Sequence, residues 1–188
     1  QTELKFLKSQ YHPHFLFNAL NTVYFQIDES NKAPRRTLEM ISELLRYQLY
    51  GGNQKVSILQ EIDYLKTYIA LRKLRMSERL RLRVEFPPEL NELNIYPLLF
   101  LPLVENAFKY VGGDYQLDII MKWENNRISL FIRNSIPELS AEDEALRKSV
   151  DERQRKGIGL VNLRRRLSLL YPNKHRLETR KEETEFVA

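Results

Sequence analysis

Three side chains within two helical turns, Glu105, Asn106 and Lys109, offer an acid, an amide and an ammonium in the run LPLVENAFKYV. At about 100° per residue, Leu101, Val104, Phe108 and Val111 share one face of a helix and the three polar groups share the other. Such a set can handle a magnesium–phosphate unit. The amide oxygen is a hard ligand for Mg²⁺, the carboxylate can orient a water or a nucleophile, and the ammonium pairs with phosphate oxygens. A solvated helix face carries the same residue types, and this segment by itself does not separate the two.

A second candidate lies near the start of the chain. His14 recurs with Gln10, Asn18 and Asn21 at spacings of four and seven residues, so these groups share one stripe of a helix while the aromatics lie elsewhere. Pro13 precedes the histidine. Inside a helix it removes a backbone hydrogen bond and kinks the chain, at about 3 kcal/mol, so a proline kept there points to local geometry with a use. A surface histidine on an amphipathic helix is the commoner explanation of the pattern. His12 faces nearly the opposite side and His175 lies in a polar turn; both read as structural or solvent residues.

The third is Lys156-Gly157-Ile158-Gly159-Leu160, which runs into Leu163, Leu167 and Leu170 at helical spacing. Two glycines ahead of a helix leave its first N–H groups uncovered, and the helix dipole favours an anion there. Neither common phosphate fingerprint fits, because Asn162 stands where a third glycine would and Leu160-Val161 where a P-loop has Lys-Ser/Thr. The preceding polar stretch SAEDEALRKSVDERQRK is either a cover over a nucleotide or a solvated connection. Arg164-Arg165-Arg166 reads as a solvated helix face from which one Arg could reach a phosphate or a partner.

The elements that must position these residues follow from periodicity. A first helix runs from Leu4 through Phe15, Leu20 and Ile27, broken by Asp28-Glu29-Ser30-Asn31. Pro34 opens a second, with Leu38, Ile41, Leu44, Leu45 and Leu49 as its stripe and Gly51-Gly52 as its terminator. Their apolar faces would be satisfied by pairing with a second copy. Ser57, with Glu61 nearby, starts a long helix through Ile58, Ile62, Leu65, Ile69 and Leu74. After that the texture is α+β. Strands are expected at Arg81–Phe86, Leu117–Trp123 and Ile128–Ile132, the last two joined by an Asn125-Asn126 turn, and at Leu177 and Phe186-Val187. Helices are expected over Leu98–Val111 and Leu160–Tyr171, packed on one face of the sheet. The division falls near residues 52–56, giving a helical hairpin over 1–55 and an α/β sandwich over 56–188.

Composition narrows the classes. The chain has 188 residues, 30 basic against 25 acidic, no cysteine and three histidines. That excludes a disulfide framework and leaves little for a zinc cluster. The charges are interspersed, so nucleic acid is not an expected partner. No stretch reaches the roughly 18 apolar residues of a membrane span. The opening QTELKFLKSQ is already helical in periodicity, as in a piece of a longer protein with any membrane anchor or sensory module upstream.

Taken in order, QYHPHFLFNALNTV, LPLVENAFKYV and KGIGLVNLRRRLSLLYP resemble the phosphoacceptor box, N box and G2 box of LytS-like sensor histidine kinases, whose ATP-binding domain belongs to the GHKL superfamily. The resemblance covers nearly the whole chain. It implies a dimerising hairpin that forms a four-helix bundle across two chains, followed by a Bergerat-type ATP-binding domain. It implies His14 as phosphoacceptor, Asn106 as Mg²⁺ ligand, Glu105 and Lys109 near the phosphates, and Gly157, Gly159 and Leu160 at the nucleotide. The implied reaction moves the γ-phosphoryl group of ATP to the imidazole and then to an aspartate of a response regulator. The implied location is the cytoplasmic portion of a bacterial inner-membrane sensor. Phe15, not an acid, follows His14, so Asn18 is left to orient the ring. Asn134 stands where the adenine-reading box has Asp, and Ile136-Pro137 where glycines follow it; the amide keeps an acceptor for the adenine amino group but loses the charge-assisted bond. Tyr110 stands where this branch has His. On those departures a second reading keeps the fold as a dimerising, ATP-binding, pseudokinase-like signalling module without the kinase step.

Overall fold

The computed structural model describes residues 13–50, 54–87, 90, 93–137, 158–182 and 184–188. The expected helical start at Leu4, Leu7 and Tyr11, Gln10 and His12, the Gly51-Gly52 terminator, the polar stretch ahead of the glycine box, and Gly157 itself lie outside these residues. So does the question of whether Pro13 interrupts a helix, since the described helix opens there.

Helix α1 (Pro13–Gln26) and helix α2 (Lys32–Tyr50) form the expected hairpin. The Asp28–Asn31 segment turns because Asp28 Oδ1 accepts from both the N–H and the hydroxyl of Ser30, and its carbonyl accepts from the Asn31 N–H. Arg35 then closes the corner by donating twice to the Ile27 carbonyl, at 3.1 and 2.9 Å, while its guanidinium covers the Tyr24 ring. Helix α2 buries Met40 and Leu44, whereas α1 buries nothing.

Strand β1 (Val56–Ser57) leads into α3 (Ile58–Lys73), where Ser57 is the N-cap as expected. The reciprocal partner of this capping box is Gln60, whose side chain accepts from the Ser57 N–H at 3.1 Å; Glu61 is turned inward instead. Leu74, expected on the apolar stripe, lies one residue past the helix and is exposed.

Strands β2 (Arg81–Glu85), β3 (Asn94–Ile95), helix α4 (Leu101–Tyr110), strands β4 (Gln116–Glu124) and β5 (Arg127–Ser135), helix α5 (Ile158–Leu170) and strands β6 (Arg180–Lys181) and β7 (Glu185–Val187) follow. The main sheet has the order β2-β4-β5-β7-β6, with β2 and β4 parallel and the other pairs antiparallel; β1 and β3 make a small separate ladder. The chain is thus a mixed helix and sheet protein. Asn125 and Asn126 both take positive φ, 52° and 60°, the pair of left-handed residues that a two-residue hairpin of matching twist needs. Alternate residues Leu117, Ile119 and Met121 of β4 are buried beneath α4 and the helices packed beside it.

Two expected boundaries move. The helix expected from Leu98 starts at Leu101, because Leu98 sits at φ +56°, a left-handed conformation that cannot propagate a right-handed helix. The strand expected at Leu177 lies instead at Arg180–Lys181, where the register Lys181↔Phe186 sets the pairing.

Candidate functional site

On α1, His14 is exposed, and its Nδ1 lies 3.1 Å from Asn18 Nδ2, one turn on. The i, i+4 spacing alone brings the two together. Asn21 is exposed as well. Phe17, on another face of the same helix, stacks on Tyr50 at 6.2 Å between centroids and lies under the Arg46 guanidinium. The His14 end of α1 is therefore the end at which α2 finishes.

On α4 the expected two-faced arrangement is present. Leu101, Leu103, Val104, Ala107 and Phe108 are buried, while Glu105 and Lys109 are exposed and Asn106 is half-buried. Although Glu105 is exposed as a residue, partial desolvation of its carboxyl by the surrounding chain raises it above its ordinary 4.5, against the opposing pull of the Arg72 guanidinium. Arg72, from α3, lies 5.6 Å from the Phe108 ring centroid, and its Nε is buried without a hydrogen-bond partner. A carboxyl whose folded-state value is raised contributes stability that is fully present below the unfolded value and lost as pH rises through the folded one. Glu105→Gln should therefore be more stable than the parent at pH 7. That advantage should disappear below pH 4.5, which urea unfolding at the two pH values measures.

Asn134 is wholly buried in β5, between Leu117 of β4 and Phe186 of β7. Its Nδ2 donates to the Ser135 carbonyl at 3.2 Å, and its Oδ1 has no partner. A buried, unused carbonyl oxygen is costly, and native chains keep few of them. Beside it, Ser135 Oγ donates to the Gly112 carbonyl at 2.6 Å, and the Gly112 N–H donates to the Ser135 carbonyl at 3.0 Å. These bonds fasten the C-terminal end of α4 to Asn134-Ser135. The same contact explains why Ile136-Pro137 can stand where glycines were expected. The glycines are on the facing segment: a Cβ on Gly112 would come within 2.8 Å of Pro137 Cδ, and Gly113 has φ +59°. Among the described residues of the glycine box, Gly159 is exposed in the first turn of α5, and a Cβ there would meet nothing within 4 Å. Leu160 is half-buried.

The structure thus joins the segment after α4, with Gly112 and Gly113, to Asn134-Ser135, and leaves His14 on the hairpin with Asn18. Sequence reasoning missed Glu61, which is wholly buried, and misplaced Arg166, which is half-buried and bonded to the backbone at Pro97 and Leu98 rather than solvated. His175 has the expected structural role, with Nδ1 donating to the Tyr171 carbonyl at 2.8 Å.

A family model for histidine kinases matches residues 2–80. The chain is also similar to the sensor protein kinase HptS of Staphylococcus aureus, in strains USA300 and NCTC 8325 alike, at 29% identity over 180 residues, or 93% of this chain. These matches make the chain similar to sensor histidine kinases. It spans 35% of the length of those curated relatives. Among solved structures, the Acinetobacter baumannii histidine kinase AdeS matches with a TM-score of 0.43 and 13% identity, over 94% of this chain and 93% of that one. Among the described residues, no helix is long and apolar enough to cross a membrane.

Proposed function

We propose that this chain transfers the γ-phosphoryl group of ATP to His14 and then to an aspartate of a response regulator, acting as a homodimer. Residues 1–55 serve as the dimerising and phosphoacceptor hairpin, and residues 56–188 as the GHKL-type nucleotide domain. The observation that carries the reading is His14 itself: an exposed imidazole whose Nδ1 is engaged by Asn18. Exposed Phe15 and Phe25 on a helix that buries nothing supply the apolar surface for a second copy.

The residues fit Mg-ATP. The partnerless Oδ1 of Asn134 is an acceptor suited to an exocyclic purine amino group, and Gly159 leaves its side open to close approach. Asn106 would contribute an oxygen to Mg²⁺ and Lys109 an ammonium to phosphate oxygens, with Glu105 beside them. Among the described residues no cluster of three His, Asp or Glu is present, and a Mg²⁺ ion held largely by phosphate and water needs none. Bound Mg-ATP supplies the phosphoryl group and the cation that offsets its charge.

The chain's own part is nucleophile preparation. As placed, Asn18 Nδ2 donates to His14 Nδ1, which puts the proton of the neutral ring on Nε2. A half-turn of the Asn18 amide presents Oδ1 instead, which accepts from Nδ1–H and frees the Nε2 lone pair for attack. Incubation with Mg-ATP should give acid-labile phosphate, located on Nε2 by phosphorus NMR. Asn18→Leu should slow labelling about tenfold, the scale of one oriented hydrogen bond, while Asn18→Asp preserves it. A folded, ATP-binding chain that takes no label would instead be the signalling module without kinase activity.

A further inference from the structure

Glu61 of α3 has no exposed surface, and its carboxyl group holds two parts of the chain that lie far from it in sequence. Oε1 accepts from the Leu99 N–H at 3.0 Å and Oε2 from the Leu98 N–H at 2.9 Å. Oε2 also accepts from the phenol of Tyr47, on α2, at 2.8 Å. Burial, and then the neighbouring Glu61 carboxyl, push that phenol far above its usual value, so it stays a donor. Around this bond the Tyr47 and Tyr64 rings stack at 4.7 Å, and Gln48 Nε2 donates to the Tyr64 hydroxyl at 2.6 Å.

The turn that Glu61 grips is held from its other side too. Arg166 of α5 donates to the Pro97 carbonyl at 2.6 Å and to the Leu98 carbonyl at 3.2 Å. Between these grips Leu98 sits at φ +56°, a conformation a leucine keeps only when its surroundings impose it. Helix α4 begins three residues later and carries Glu105, Asn106 and Lys109. In the opposite direction Tyr47 lies one turn before Tyr50, which stacks on Phe17, itself one turn after His14. One line of contacts therefore runs from the His14 end of the hairpin, through Tyr47 and Glu61, to the turn that aims the α4 polar face.

We propose that Glu61 is a positioning residue, and that its hydrogen bond from Tyr47 sets the α4 polar face relative to His14. A capping role needs only the Leu98 and Leu99 N–H groups. The third bond comes from the hairpin, and together with the Gln48–Tyr64 bond it links the two units. This inference rests on the phosphotransfer reading above.

Tyr47→Phe removes that bond and leaves both backbone bonds to Glu61. With the whole chain, the kcat for His14 labelling should fall about fivefold, within the range one hydrogen bond accounts for, while the KM for ATP stays unchanged. Glu61→Gln, which leaves a single acceptor oxygen for three donors, should raise the KM as well, because it releases the turn ahead of α4. The chain has no cysteine, so Gln26→Cys and Ser129→Cys, both at exposed positions, can carry spin labels. With labelled chain diluted into unlabelled chain, the distance distribution between them should be narrow and should broaden in Tyr47→Phe. An unchanged kcat with an unchanged distribution overturns the proposal, and so does a parallel loss of kcat and ATP affinity in Tyr47→Phe. If the parent takes no label at all, the phosphotransfer reading fails, and the distance distribution still decides whether the Tyr47 bond holds the two units.

Discussion

His14→Gln is expected to bring acid-labile phosphorylation down to background, with ATP binding unchanged and the fold intact. The size of the effect follows from the role. A nucleophile that forms the covalent bond cannot be replaced by orientation or binding elsewhere in the site, and glutamine offers no comparable lone pair at the Nε2 position. The absence of a stability effect follows from the place. His14 is exposed and its described bond is to Asn18, also exposed, so unfolding free energy should stay within about 0.5 kcal/mol of the parent. Labelling with Mg-ATP, titration with a fluorescent ATP analogue and urea unfolding read the three quantities separately. Normal labelling of the glutamine variant would move the phosphoacceptor elsewhere. Loss of labelling together with loss of ATP binding would mean that His14 belongs to the nucleotide pocket.

The second large effect is expected at Asn134, and here affinity and stability should move apart. The Asn134 Oδ1 is buried without a partner, so the folded chain carries its desolvation cost with nothing in return. If that oxygen accepts from a purine amino group, Asn134→Leu should weaken ATP binding by about 1–3 kcal/mol, roughly tenfold to a hundredfold. The same change loses one bond, from Nδ2 to the Ser135 carbonyl, and removes an unsatisfied acceptor. Its thermal stability without nucleotide should be equal to the parent's or higher, the usual exchange between a strained site and a quiet core. Asn134→Asp should do the reverse. A buried carboxylate costs stability until a donor arrives, so that variant should melt earlier without ATP and gain more from its addition. Calorimetric titration and thermal melts settle both. ATP binding by the leucine variant at the parent's affinity would remove Asn134 from the site.

These expectations draw on residues that were legible to different degrees. His14 with Asn18, and the face of Glu105, Asn106 and Lys109, depend only on the pitch of a helix, and the structure shows both pairings as read. The hairpin corner at Asp28–Asn31 and the Asn125-Asn126 turn are equally local: short polar side chains there bond the neighbouring backbone or accept positive φ. The helix expected from Leu98 was misread for a specific reason. Pro102 is a local signal for the later start, since it has no N–H to give the Leu98 carbonyl and belongs in a first turn; Glu61 adds a distant one by taking the N–H groups of Leu98 and Leu99 from 37 and 38 residues away.

By itself, the sequence determined the elements, their order and the residue types offered for phosphate chemistry, because periodicity, capping and turn chemistry act over one or two turns of chain. Tertiary structure alone decided that Asn134 is buried with an unused acceptor, that Gly112 and Gly113 make room for Ile136-Pro137, and that Arg166 grips a turn rather than facing water. It also decided that Tyr47 of the hairpin reaches Glu61. Burial and long-range hydrogen bonds depend on which distant segments meet, and no local pattern of residues encodes that meeting. The His14 motif is written in one helix, whereas the contacts that aim the α4 face are spread over four segments brought together only by the fold.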